Sequence, residues 1–169
     1  MDFSKKIDGS DFMADKYMSF FVDGQRYAFP IKSVQEIIRT QVIIPVPEFP
    51  EYAKGIINVR GNVIPIIDIH LRFHLPETVY QSHTCIIIIN YGDRFIGFIV
   101  DDVSQVAELP PEKISDSPKI TTKGVAFISG VGKDDGGSII MILDENKLLT
   151  REMIDELAEK QEQSGIAGI

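Results

Sequence analysis

The sequence contains no tryptophan, a single cysteine and only three histidines. One cysteine, Cys85, excludes an internal disulfide, and a structural zinc site needs four ligands where His70, His74 and His83 stand with nothing arranged around them. Basic residues are scarce, 17 against 25 acidic ones, and a net charge of −8 argues against nucleic acid as a partner. Long apolar runs are also missing. The longest, such as CIIII at 85–89, fall far short of the ~20 residues that span a bilayer, so no direct membrane insertion is expected. The opening MDFSKKIDGSDFMADK lacks the apolar stretch of a signal peptide, and the expected compartment is the reducing cytoplasm.

What is present is an ordinary globular mixture, 44% hydrophobic and 25% charged. Residues 1–15 carry mixed charge without a period and read as a flexible arm. From Tyr17 the pattern is β. YMSFFV and RYAFPI flank Asp23-Gly24, a hairpin signal, with Gly24 as its turn glycine. SVQEIIRTQVIIPVPEFPEY carries prolines at 45, 47 and 50 and reads as a connecting loop. GIINV and VIPIIDI follow Gly55 on either side of Arg60-Gly61-Asn62, where Gly61-Asn62 is the expected two-residue turn and Arg60 flanks its tip.

A second half begins at TCIIIINYGDRFIGFIVDDVSQV and repeats the order of features of the first. Gly24 matches Gly92, Arg26 matches Arg94, Tyr27 matches Phe95, Val34 matches Val103, and IPIIDIHLRF resembles IMILDENKLL with Asp68 against Asp144. The chain therefore reads as an internal duplication, each copy suited to a small closed β-barrel, the two barrels meeting at a groove. TREMIDELAEKQEQ changes to helical period, with Met153, Ile154, Leu157 and Ala158 on one face and Thr150 as cap. The expected organisation is an arm at 1–15, a two-barrel domain at 16–150, and a terminal helix and tail at 151–169.

Reactive groups are weakly arranged. The three histidines read as surface residues, and Cys85 as a small hydrophobe opening a strand. Asp101 and Asp102 are adjacent on a strand end and point to opposite faces. GVGKDDGGS lacks the Gly-Lys-Ser/Thr of a phosphate loop and reads as a hairpin loop. No Ser stands in a Gly-x-Ser-x-Gly elbow. No enzyme activity, cofactor or metal is expected. Arg60 either offers a fork of donors to a partner's carboxylate or carbonyls, or is a solvated turn arginine. Spacing does not choose between them.

YMSFFVDGQRYAFPIKSVQEI, GIINVRGNVIPIIDI, GFIVDDV and IIMILDENKLL together resemble the CheW family of bacterial chemotaxis coupling proteins over about residues 16 to 150. The resemblance implies a mainly β fold of two intertwined SH3-like five-stranded barrels with a C-terminal helix. It also implies a non-catalytic adaptor joining chemoreceptor cytoplasmic tips to the regulatory domain of a CheA-type histidine kinase. Such an adaptor is cytoplasmic, is recruited to membrane receptor arrays, and meets other coupling proteins within array rings. By position, Met18, Ile31 and Val34 fall to the kinase contact, Glu36, Arg60, Ile86 and Val103 to the receptor contact, and Ile120 to a ring contact. Val34 and Val103 are compatible with either. A CheW-like adaptor for another chemosensory output, or a small-ligand module using the groove, are the alternatives.

Overall fold

Asp23 and Gly24 both have positive φ, 52° and 77°, the two-residue turn whose twist matches paired strands. It joins β1 (Lys16–Val22) to β2 (Gln25–Pro30), with Val22 opposite Gln25. The computed structural model describes residues 14–115 and 125–165; residues 1–13 of the arm expected at 1–15, Ile120 and the last four residues lie outside the described residues. The chain continues through a 3-10 turn, Ile31–Ser33, into β3 (Val34–Arg39), β4 (Ala53–Val59), β5 (Asn62–Asp68) and a one-turn helix α1 (Ile69–Arg72). Then come β6 (Cys85–Asn90), β7 (Phe95–Val100), β8 (Asp102–Glu108), β9 (Ile114–Ser115), β10 (Ile128–Lys133), β11 (Ile139–Leu143), α2 (Glu145–Leu148) and α3 (Arg151–Gln163). The connecting loop expected from Ser33 onward is therefore a strand over Val34–Arg39. The prolines that stop pairing begin only at Pro45, and the β-branched residues before them pair normally.

The fold is mainly β, two SH3-like barrels built by exchange. One sheet has the order β3-β6-β7-β5-β4 and the other β8-β1-β2-β11-β10-β9, the sixth strand, β9, being two residues long. The duplication is visible in the pairing. β3 pairs with β6 as β8 pairs with β1, and parallel β5–β7 is matched by parallel β11–β2. Each half thus lends its first hairpin to the other half's barrel. Asp68 and Asp144 confirm the correspondence, each capping the short helix that follows by accepting from the backbone N–H two residues on, His70 and Asn146.

Each barrel has its own apolar interior. Ile57, Ile64, Ile66, Ile86, Ile88 and Ile99 fill that of β3–β7, here called barrel B. Ala28, Ala107, Leu109, Ile140 and Ile142 fill the other, barrel A. Between them lies a larger cluster in which Phe29 of one sheet meets Phe98 of the other at 5.6 Å between ring centres. Helix α3 closes this cluster with Ile154 and Leu157, and Thr150 accepts from Met153 N at 3.3 Å, the cap expected of it. Arg72 ties the end of α2 to α3, its Nη2 reaching Met153 Sδ at 3.8 Å. Its Nε donates to Leu148 O at 2.8 Å, and its guanidinium lies 4.4 Å from the Phe127 ring centre.

Candidate partner-binding site

Arg60 sits at the tip of the β4–β5 hairpin. Val59 faces Asn62, so the two turn residues are Arg60 and Gly61, with φ of 51° and 87°. The turn lies one residue earlier than the sequence suggested, and Arg60 forms the tip instead of flanking it. Asn58 Oδ1 accepts from Gly61 N at 2.9 Å and steadies the turn. The Arg60 side chain is 70% exposed and forms an ion pair with Glu36 of β3, which is 28% exposed. Two residues expected at one contact are thus joined. An exposed pair of this kind contributes ~0–1 kcal/mol, so the guanidinium exchanges partners at little cost.

Glu36 reaches that tip because β3 is bulged. Val34 pairs with Ile89 and Glu36 with Ile88, so an extra residue lies between them. Without the bulge Val34 and Glu36 would share a face. With it, Val34 and Ile37 pack on the central cluster while Ile38 turns with Glu36 toward the interior of barrel B. Val103, the counterpart of Val34, is half-buried against the same central cluster from β8. Ile86 is different. Its relative exposure is 0%, within the interior of barrel B, so it presents no surface to a receptor, because both faces of that strand are covered.

Met18 is 8% exposed, set between Phe29 and Val106 in register, and offers only an edge. Ile31 and Val34 bracket the crossover from β2 of barrel A to β3 of barrel B and remain partly exposed. That crossover is pinned by Ser33 Oγ donating to Glu145 Oε1 at 2.7 Å. Its counterpart, Asp101 between β7 and β8, accepts from Asp23 N at 2.8 Å and lies 2.7 Å from His70 Nε2. His70 is therefore buried, not a surface residue, whereas His74 and His83 are exposed. The sequence signal was there in the DIH triplet, since a capping Asp68 directs the next residues inward, but the partner lies 31 residues away. Asp68 also accepts from Tyr80 Oη at 2.7 Å, and burial followed by that bond raises the Tyr80 phenol far above its ordinary range. Burial likewise pushes the Cys85 thiol up, away from the thiolate a nucleophile needs.

Residues 16–153 match the CheW-like domain family. The chain belongs to the CheW-like family. It is 37% identical over 136 residues to the chemotaxis protein CheW of Bacillus subtilis, spanning 80% of this chain and 81% of that one. To the chemotaxis protein CheW of Klebsiella aerogenes it is 30% identical over 151 residues, 87% of this chain and 90% of that one. The crystal structure of the scaffolding protein CheW from Thermoanaerobacter tengcongensis is similar at a TM-score of 0.74 with 32% identity, covering 80% of this chain and 92% of that chain. The CheW-like match takes in both barrels and the start of α3. Among the described residues no helix is long and apolar enough to cross a membrane.

Proposed function

We propose that this chain is a non-catalytic adaptor coupling the cytoplasmic tips of chemoreceptors to a CheA-type histidine kinase, so that receptor occupancy sets kinase autophosphorylation. It works in the cytoplasm and is recruited to receptor arrays. Membership of the CheW-like family across both barrels supports the adaptor class. The observation that carries the receptor contact is Arg60: an exposed guanidinium on a left-handed backbone, tethered among the described residues only by a surface ion pair. A non-glycine residue in that conformation costs ~1 kcal/mol or more, and strain of this kind concentrates at functional positions. A receptor tip is a helical hairpin, which a charged rim beside apolar walls reads by stripe and register. Glu36 orients the arginine, and Val103 contributes apolar surface. Ile86 shapes this site from within the barrel without touching the partner.

The kinase regulatory domain takes the crossover edge formed by Ile31 and Val34 with the rim of Met18. Ile120 is the ring contact with a neighbouring kinase or coupling protein. The test is reconstitution with a CheA-type kinase and receptor-bearing membranes, following autophosphorylation with and without attractant. Activation that needs this protein and falls with attractant is expected. Arg60→Glu should keep kinase binding and lose receptor-dependent activation by about tenfold or more. Folded protein that binds neither kinase nor receptor would overturn the reading.

A further inference from the structure

Beside the Arg60 tip, barrel B ends in a cavity of about 220 Å³. Its walls are Val63 and Pro65 of β5, Phe95 of β7, and Ile154 and Ala158 of α3, with Arg94 at the rim. β5 runs parallel to β7 with Ile66 opposite Gly97. The tips that precede these strands, Arg60-Gly61 and the turn holding Arg94, therefore lie at the same end of the barrel. Asn62, the residue after Gly61, itself lines the cavity. Arg94 thus lines a socket of apolar walls with Asn62, Asp93 and Gln161 as its polar part, and Arg60 lies two residues before Asn62 at the same end of the barrel.

Their states differ. Arg60 is held by Glu36, whereas the exposed Arg94 guanidinium has no hydrogen-bond or ion-pair partner among the described residues, in a chain of net charge −8. The carboxylate nearest to it in the wall, Asp93, is already occupied. Arg151 donates to both its oxygens, at 2.7 and 2.5 Å, and that bond holds its carboxyl down at about 2.

We infer that this cavity is a second contact for the helical receptor tip, one that takes an apolar side chain into the socket while a carboxylate on the same helix face engages Arg94. It rests on the receptor reading above. Continuity with the Arg60 tip and an exposed guanidinium whose donors are unused, Arg94 acting on Asp93 only through its charge, single out that occupant, since an apolar residue and an acid three or four apart share one helical face. Arg94 then selects which receptor helices are coupled.

The experiment titrates a soluble receptor-tip hairpin fragment against the wild-type protein and the Arg60→Glu, Arg94→Glu and Arg94→Lys variants, with the kinase regulatory domain as a parallel ligand. The methyl resonances of Val63 and Ala158 are followed throughout. Arg94→Glu should bind the receptor fragment about tenfold more weakly, Arg94→Lys should recover most of that loss, and kinase affinity should not change. In wild type both methyl groups should shift as receptor fragment is added. Receptor affinity lowered by Arg60→Glu and untouched by Arg94→Glu, with still methyl signals, overturns the cavity contact and leaves the adaptor reading standing. Loss of kinase binding in Arg94→Glu reassigns the cavity and overturns the receptor contact. A wild-type protein that fails to bind the receptor fragment at all overturns both.

Discussion

Arg60 occupies a backbone conformation that asparagine or glycine holds at less cost. The β1–β2 turn has Asp23 in the same conformation, one of the residue types that tolerate left-handed backbone. Arg60→Asn should therefore leave the protein as stable as wild type or raise its stability by up to ~1 kcal/mol, since only a surface ion pair is lost. The same substitution should abolish receptor-dependent kinase activation. Chemical denaturation and the reconstituted kinase assay check the two halves of this expectation. A large loss of stability would make Arg60 a structural residue of the hairpin.

Among the elements, β4 shows how tightly barrel B is closed. Ile44, in the loop after β3, exchanges both backbone hydrogen bonds with Ile56 at 2.9 Å. The approach is possible only because residue 55 is glycine: it has φ of 144°, and a Cβ there would sit 2.1 Å from Ile44 O. Gly55→Ala should cost about 2–4 kcal/mol, combining backbone strain with a clash that no rotamer relieves. Thermal or denaturant unfolding measures this directly, and a change under ~1 kcal/mol would mean that the loop swings away freely. At this scale much was legible in advance. The Asp23-Gly24 hairpin, the loop at Asp134–Ser138, the Thr150 cap and the buried stripe of α3 all depend on neighbours close in sequence. What was not legible depends on distant partners. The CIIII run of β6 gives no alternation because both faces are covered, which hid the burial of Ile86. The bulge after Val34 separates Val34 from Glu36, and no spacing rule joins Glu36 to Arg60 24 residues on.

For the whole molecule, the repeat was readable from the order of its features and the family resemblance implied intertwined barrels, but which strands are exchanged was not readable. That assignment shows in pairs such as β1 with β8 and β3 with β6. Because every sheet draws strands from both halves, neither half contains a barrel of its own. Division in the loop after α1, where Val79 is 81% exposed, gives fragments 1–78 and 79–169. Each alone should show no cooperative unfolding transition, and an equimolar mixture should restore one. A cooperative transition in either fragment by itself would contradict the exchanged topology.

The same interlocking bears on how such a chain arose. A protein one repeat long would have its first hairpin without a home and its remaining strands without a partner, and a second copy would supply both needs by domain swapping. The present chain has the topology that a swapped homodimer would have with its two subunits joined into one polypeptide. The corresponding tips differ, with Arg60 in one and the acids Asp134 and Asp135 in the other. A symmetric dimer must show the same face twice. The fused chain can show two different faces, which is what the adaptor proposed above, set between two unlike partners, would require.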